Sequence, residues 1–235
     1  MKTEERILKI TQQFLFQNSA VLKDLPTKDL SYLHNYIEDK SGKRGDYLFR
    51  QGFYPKGIYW LLSGKVKIFQ QSDSGHRQTM YIYSNGDLIG YRQLLAEESH
   101  PVSAVLLEDS KINFIPADIF KSLISDSTAF ARNILSTLAR DFTVWTNRIT
   151  VFQKFRVKER LVLALLILHE QYRLSGSPSG VITITRTELA DYVGASLETI
   201  VRILNKLKTD NLLQVSGRKI VLRELNTLMD MLQKE

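Results

Sequence analysis

The 235-residue chain is 43% hydrophobic and 24% charged, which leaves enough apolar material for two modest cores and excludes a disordered chain. Its formal net charge of +7 suits a polyanionic partner. With no cysteine it can form no disulfide, thiolate zinc site or cysteine-ligated iron–sulfur cluster.

Basic residues outnumber acidic ones by 19 to 16 in the first 150 positions and by 13 to 9 in the last 85, so the excess is denser toward the C-terminus. The four histidines (His34, His76, His100 and His169) lack ligand-like spacing, and no metal site is expected. The N-terminus carries Lys2, Glu4, Glu5, Arg6 and Lys9 without an apolar signal core. The longest apolar run, Leu161–Leu168, is too short to span a bilayer, so a cytoplasmic protein with no membrane partner is expected.

In chain order, Thr3–Asp39 reads as helical, with Leu22, Leu25, Leu30 and Leu33 forming an apolar stripe. Eight of the 12 glycines then fall before position 91. They separate β-type runs at Asp46–Arg50, Ile58–Leu62, Val66–Gln70, Gln78–Tyr83, Val102–Leu107 and Lys111–Pro116. Turn signals such as Ser63-Gly64, Asp73-Ser74-Gly75 and Asn85-Gly86-Asp87 punctuate them, and the pattern predicts an antiparallel barrel or jelly roll.

Helical periodicity takes over near Ser127. Ala131, Leu135, Leu138, Phe142, Trp145, Ile149 and Phe152 alternate spacings of four and three, with Arg132, Arg140, Asp141, Asn147 and Arg148 on the other faces. One apolar stripe could lie against its own domain, but the 3.5-residue period favours a helix–helix seam, and these seven positions are the expected dimer interface. A second helix is predicted over Val157–Tyr172, with Gln153–Val157 as a hinge before it. A turn-rich connector, Ser175-Gly176-Ser177-Pro178-Ser179-Gly180, leads to a strand at Val181–Thr185.

The stretch Thr185–Lys208 carries the functional signal. Thr185 and Glu188 form a capping box, Gly194 permits a sharp turn, and Ser196 can cap a helix that continues to about Lys208. Ile200, Ile203, Leu204 and Leu207 would face inward, the arrangement of a helix-turn-helix that presents its second helix to the major groove. Its outward face carries Leu197, Glu198, Val201, Arg202 and Asn205, with Ser196 and Thr199 at its start. A carboxylate can accept from cytosine N4 and a guanidinium can donate twice to guanine. The competing reading of Glu198 and Arg202 is an exposed ion pair one turn apart, worth tenths of a kcal/mol. Leu212–Val215 and Lys219–Leu222 read as a hairpin wing whose tip brings Arg218 and Lys219 to phosphates, with Lys206 adding to them.

This chain resembles the CRP/FNR family of bacterial transcription regulators, most specifically over ITRTELADYVGASLETIVRIL, residues 184–204. The resemblance implies an α+β protein in three parts: a cyclic-nucleotide-binding-like β-barrel of jelly-roll type (1–127), a central dimerisation helix (128–155) and a winged helix-turn-helix (156–235). It implies that Glu198 and Arg202 read a G·C-containing core and that Arg186 and Thr187 touch the DNA backbone. It also implies a two-fold symmetric double-stranded operator, a homodimer, and RNA polymerase as a further partner.

The sensor departs from the family pattern. Where the family pairs Gly-Glu-Leu with Arg-Ser-Ala around a cyclic phosphate, this chain has Gly86-Asp87-Leu88 and Val102-Ser103-Ala104. Valine stands at the arginine position, and a buried phosphate would lack its partner. Trp145 falls near where cyclic-AMP responders place a small hydroxyl residue. Arg92 is a candidate substitute anion anchor, set against an ordinary surface role. No cofactor is required, the effector is unassigned, and cyclic AMP is not expected.

Three functions compete: an effector-gated transcription regulator, a constitutive regulator with a vestigial or protein-binding barrel, and a nucleotide-binding regulatory subunit of an enzyme. The chain contains no Gly-rich phosphate loop, H-E-x-x-H or G-x-S-x-G motif, so the protein itself is not expected to be an enzyme.

Overall fold

A computed structural model describes residues 3–16, 18–22, 24–177 and 179–232, so Pro178 of the expected connector lies outside the described residues. The chain forms two compact units, one of Met1–Leu15 with Thr143–Glu235 and the other of Phe16–Phe142.

The Phe16–Phe142 unit is built on eight strands: β1 (Glu38–Gly42), β2 (Tyr47–Phe49), β3 (Gly57–Ser63), β4 (Val66–Gln71), β5 (Arg77–Tyr83), β6 (Leu88–Ile89), β7 (Ser103–Leu106) and β8 (Ser110–Pro116). They form two four-stranded antiparallel sheets, ordered β1-β8-β3-β6 and β2-β7-β4-β5. The expected barrel is therefore not closed. Among the described residues the strands pair only within each sheet, which makes a double-sheet jelly roll. Its tight connections need glycine: Gly64 has φ +112°, and a Cβ there would lie 2.0 Å from Ser110 Oγ.

The N-terminal segment is shorter in helix than expected, with α1 (Thr3–Thr11) and a 3₁₀ turn at Gln12–Phe14 in the other unit, and a 3₁₀ turn at Asn18–Leu22 and α2 (Thr27–Tyr36) in this one. Two further helices escaped the sequence reading, α3 (Tyr91–Ala96) and α4 (Ala117–Asp126). The first is only six residues long, closed on both sides by left-handed residues, Gly90 and Glu97. Leu33, Ile58, Leu88, Tyr91, Ile115, Phe120, Leu123, Phe130 and Ile134 share one buried cluster, which fastens these helices to the roll through the hydrophobic effect.

Helix α5 (Thr128–Lys154) runs from one unit into the other and carries two apolar faces. Phe130, Ile134, Thr137, Asp141, Val144 and Arg148 are buried along one of them. The heptad positions lie on the other: Leu135, Phe142, Ile149 and Phe152 are exposed, and Ala131, Leu138 and Trp145 are half-buried. Asp141 and Arg148, expected on polar faces, are thus inside. They repeat at helical spacing with apolar neighbours and meet tyrosine hydroxyls, Asp141 accepting from Tyr91 and Arg148 donating to Tyr192.

After a break at Phe155–Arg156, the C-terminal part contains α6 (Val157–Leu174), β9 (Ile182–Thr183), α7 (Arg186–Val193), α8 (Leu197–Thr209), β10 (Leu213–Ser216), β11 (Lys219–Leu222) and α9 (Leu225–Asp230). Leu161 to Gln171 of α6 is buried all round, as befits the central helix of a small domain. The three strands form one antiparallel sheet ordered β10-β11-β9. From the N-terminal segment, Phe14 packs with Leu163 and Ile167 of α6.

Candidate nucleic-acid interface

Caps set where helices α7 and α8 start and where α7 stops. The Thr185 hydroxyl accepts from the Glu188 N–H at 3.1 Å, and the Glu188 carboxylate accepts from the Thr185 N–H at 2.9 Å. Gly194, at φ +68°, ends α7 in the left-handed region, and its N–H donates to the Ala190 carbonyl. Two residues later the Ser196 hydroxyl accepts from the Thr199 N–H at 3.2 Å and starts α8. Ile200, Leu204 and Leu207 bury the inner face of α8, and Ile203 is half-buried beside them.

The outer face of α8 is presented to solvent. Ser196, Leu197, Glu198, Val201, Arg202, Asn205 and Lys206 are exposed, with Thr199 half-buried. Among the described residues no hydrogen bond or ion pair takes up the side chains of Glu198 and Arg202, so the i,i+4 pair open to them is not formed. Leu197 and Val201, 46% and 37% exposed, leave apolar surface between charged neighbours. This is a helix face with donors, an acceptor and methyl-sized apolar surface, the three things that read base edges in a major groove.

The wing lies alongside in the same fold. Ser216 pairs with Lys219 in the β10–β11 register, which leaves Gly217 and Arg218 as a two-residue turn with Gly217 at φ +54°. Arg218 and Lys219 are exposed at this tip. Arg186 is half-buried and donates to the Gly217 carbonyl at 2.9 Å, tying the start of α7 to the wing turn, and burial lowers its pKa. Thr187 beside it is exposed. The structure therefore gathers all twelve residues singled out for DNA onto α7, α8 and the wing.

The expected effector residues, Trp145 apart, lie in the jelly-roll unit. Asp87 is buried between Gly86 and Leu88, its carboxylate accepting from the Ser84 N–H at 2.8 Å, and burial pushes its pKa up to about 7. Val102 is half-buried, Ser103 and Ala104 are buried on β7, and the Ser103 hydroxyl accepts from the Gln51 N–H at 3.0 Å. Arg92, expected as an anion anchor or a surface residue, is half-buried, its guanidinium paired with Asp141 of α5 and donating to the Tyr83 hydroxyl at 3.1 Å. Burial opposes its charge, but Tyr83, Tyr91 and Asp141 outweigh burial and raise its pKa. Trp145 belongs to the other compact unit and is half-buried there.

Asp141 and Tyr83 were not anticipated beside Arg92, nor Phe16, whose ring centre lies 5.2 Å from its guanidinium, nor Asn18, which donates to the Leu88 carbonyl at 3.2 Å. The signal for Asp141 was its spacing from Phe130, Ile134 and Thr137, which continues the buried face rather than the exposed one. Nothing local in the sequence marks Phe16 or Asn18.

Comparison with known proteins agrees with this geometry. The cyclic nucleotide-binding domain pattern matches residues 40–127 and the Crp-like helix-turn-helix domain pattern matches residues 159–231. An anaerobic regulatory protein of Haemophilus influenzae is 28% identical over 210 residues, covering 88% of this chain and 81% of that protein. The fumarate and nitrate reduction regulatory protein of Yersinia pestis is 28% identical over 203 residues, covering 85% and 81%. Among solved structures, FixK2 from Bradyrhizobium japonicum has the same fold at a TM-score of 0.71 and 21% identity, with 83% of this chain and 96% of that one covered. The c-di-GMP responsive global regulator CLP of Xanthomonas campestris aligns at a TM-score of 0.70 and 24% identity, over 84% and 99%.

A jelly roll of the cyclic nucleotide-binding type joined by a long helix to a winged helix-turn-helix defines the class, a DNA-binding transcription regulator. Within that class the chain belongs to the CRP/FNR family.

Proposed function

We propose that this protein binds a two-fold symmetric DNA operator as a homodimer, reading base edges with α8 and gripping phosphates with the wing. Its functional parts would be a sensor over 1–127, a dimerisation helix over 128–155 and a DNA-binding domain over 156–235. The observation that carries the reading is the capped, outward-facing α8, whose Glu198 and Arg202 are exposed and unspent on each other. Glu198 would accept from a cytosine and Arg202 would donate to a guanine. Arg186, Thr187, Lys206, Arg218 and Lys219 would contact phosphates, which orient the protein without reading sequence.

The exposed heptad face of α5, from Leu135 to Phe152, supports the homodimer. RNA polymerase contact and a cytoplasmic location belong to the same proposal; among the described residues no helix is long and apolar enough to cross a membrane. Effector gating through the roll and constitutive binding remain the two variants of this function. The pairing of Arg92 with Asp141 favours the second, since the cation an anionic effector would need is engaged within the chain.

Selection of bound sequences from a random DNA library tests the proposal. A palindromic motif with G·C pairs in each half, bound with an affinity that falls steeply with salt, is the expected result. Failure to enrich any motif, or enrichment without dyad symmetry, would overturn it.

A further inference from the structure

The chain passes between its two compact units at Leu15–Phe16 and again at Phe142–Thr143. Within the jelly-roll unit, the residues that border these two crossings meet at one side chain. Arg92 of α3 pairs with Asp141, the residue before Phe142, and its guanidinium lies 5.2 Å from the centre of the Phe16 ring. Phe16 is itself held: its ring meets Tyr81 edge-on at 4.3 Å and stacks on Tyr83 at 5.8 Å, and its N–H donates to the Tyr81 hydroxyl at 3.1 Å. Asn18 follows, donating to the Leu88 carbonyl at 3.2 Å on the Gly86-Asp87-Leu88 segment. Asp141, only 2% exposed, also accepts from the Tyr91 hydroxyl, while its Oδ1 has no partner among the described residues.

Resting on the DNA-binding reading above, we infer that Arg92 is a clasp with an internal ligand: the Asp141 carboxylate occupies the anion site of the sensor, and the Arg92–Asp141–Phe16 contact sets operator affinity without an external effector. A half-buried guanidinium is best held by an anion, and here the anion comes from the helix that carries the heptad face. The cation–π contact to Phe16 secures the other crossing with the same charge. Arg92 and Asp141 are positioning residues, acting on DNA affinity through α5 and the Phe16 segment. Such a clasp is a two-state element: closed, it fixes both chain crossings at their jelly-roll ends, and open, it frees them.

The test is a double-mutant cycle on the purified full-length protein with Arg92→Gln, Asp141→Asn and the pair, reading operator affinity by fluorescence anisotropy and stability by thermal unfolding. Wild type without any added small molecule is expected to bind its selected operator. Each single variant should weaken that binding on the order of tenfold, the double variant no further than either single, and Arg92→Lys should recover part of the loss. Phe16→Leu, which keeps an apolar side chain but removes the ring, should weaken binding in the same direction. Singles that lower thermal stability but bind the operator like wild type would show a structural pair only and overturn the inference. So would wild type that binds only after inorganic phosphate or another small anion is added, and both results leave the DNA reading intact. Wild type that binds no DNA under any condition overturns the DNA reading and this inference with it.

Discussion

Replacing Phe142 by alanine probes the heptad seam where its consequence is largest. Phe142 is 74% exposed in the single chain, with Leu135 and Ile149 at 67% and 58% one heptad to either side. Complete burial of a large apolar side chain contributes roughly 1.5–3 kcal/mol, so covering the exposed three-quarters of this one contributes about 1–2 kcal/mol. A two-fold axis uses the residue twice, and Phe142→Ala should therefore remove about 2–4 kcal/mol from association. At 1.4 kcal/mol per decade, the dimer dissociation constant rises roughly 30- to 700-fold. The folded monomer should hardly change, because the side chain buries little within it. Sedimentation equilibrium measures the constant, circular dichroism checks the fold, and Leu138→Glu, which puts a charge in the same seam, should shift the equilibrium likewise. A wild type that sediments as a monomer at micromolar concentration, or a Phe142→Ala protein that associates unchanged, refutes the reasoning.

At the DNA face, Arg202→Ala should cost about 1–3 kcal/mol of specific binding and relax preference at one base pair, as read by repeating the library selection. Arg218→Ala should instead weaken binding to all sequences alike and lower the slope of log affinity against log salt by about one. Leu197 and Val201 expose apolar surface beside Arg202, so replacing operator thymines by uracil, which removes only the methyl group, should weaken wild type by about 0.8 kcal/mol at the contacted base. The Val201→Ser protein should be indifferent at the base that Val201 meets. Asp87 releases its proton near pH 7 when folded but near 3.8 when unfolded, so deprotonation favours the unfolded chain between those values and stability falls as pH rises through them. Asp87→Asn can still accept from the Ser84 N–H, and it should flatten that fall by a few kcal/mol at most in thermal unfolding from pH 5 to 8.

The parts legible in the sequence are those whose signal is local. Strands bounded by Gly64, Gly75 and Gly86 could be placed because their turns demand positive φ, and all three glycines have it. Helices α7 and α8 could be placed because Thr185, Glu188, Gly194 and Ser196 each perform a capping task that spans three residues or fewer. Strand β1 was missed because Glu38-Asp39-Lys40-Ser41-Gly42 has no apolar alternation; it is an edge strand, exposed along most of its length, that gains its pairing from β8. Strand β6 has only two residues, too few for a period. For α5 the 3.5-residue repeat marked one face, but the second buried face hid its polar members, since Asp141 and Arg148 read as solvated until Tyr91 and Tyr192 are brought to them from 50 and 44 residues away in the chain. The clasp was illegible for the same reason: Phe16, Arg92 and Asp141 become neighbours only through the fold.

The valine at position 102 and the pairing of Arg92 are two sides of one electrostatic balance. A sensor that binds an anionic effector must keep a cation free for it at the cost of burying that cation unpaired when the site is empty. Here Val102 supplies no cation, and Arg92 is neutralised by Asp141. Burial also raises the Asp87 pKa and lowers that of Lys65. An incoming phosphate or carboxylate at Arg92 would have to displace Asp141 and leave that carboxylate buried beside the Tyr91 hydroxyl. Because Asp141 precedes Phe142 on one continuous helix, the group that satisfies Arg92 and the side chain that most exposes the seam sit about 100° apart on the same turn. On the proposed reading, a change in how α5 is held at Asp141 would be felt at the exposed heptad face, and through it at the recognition helices.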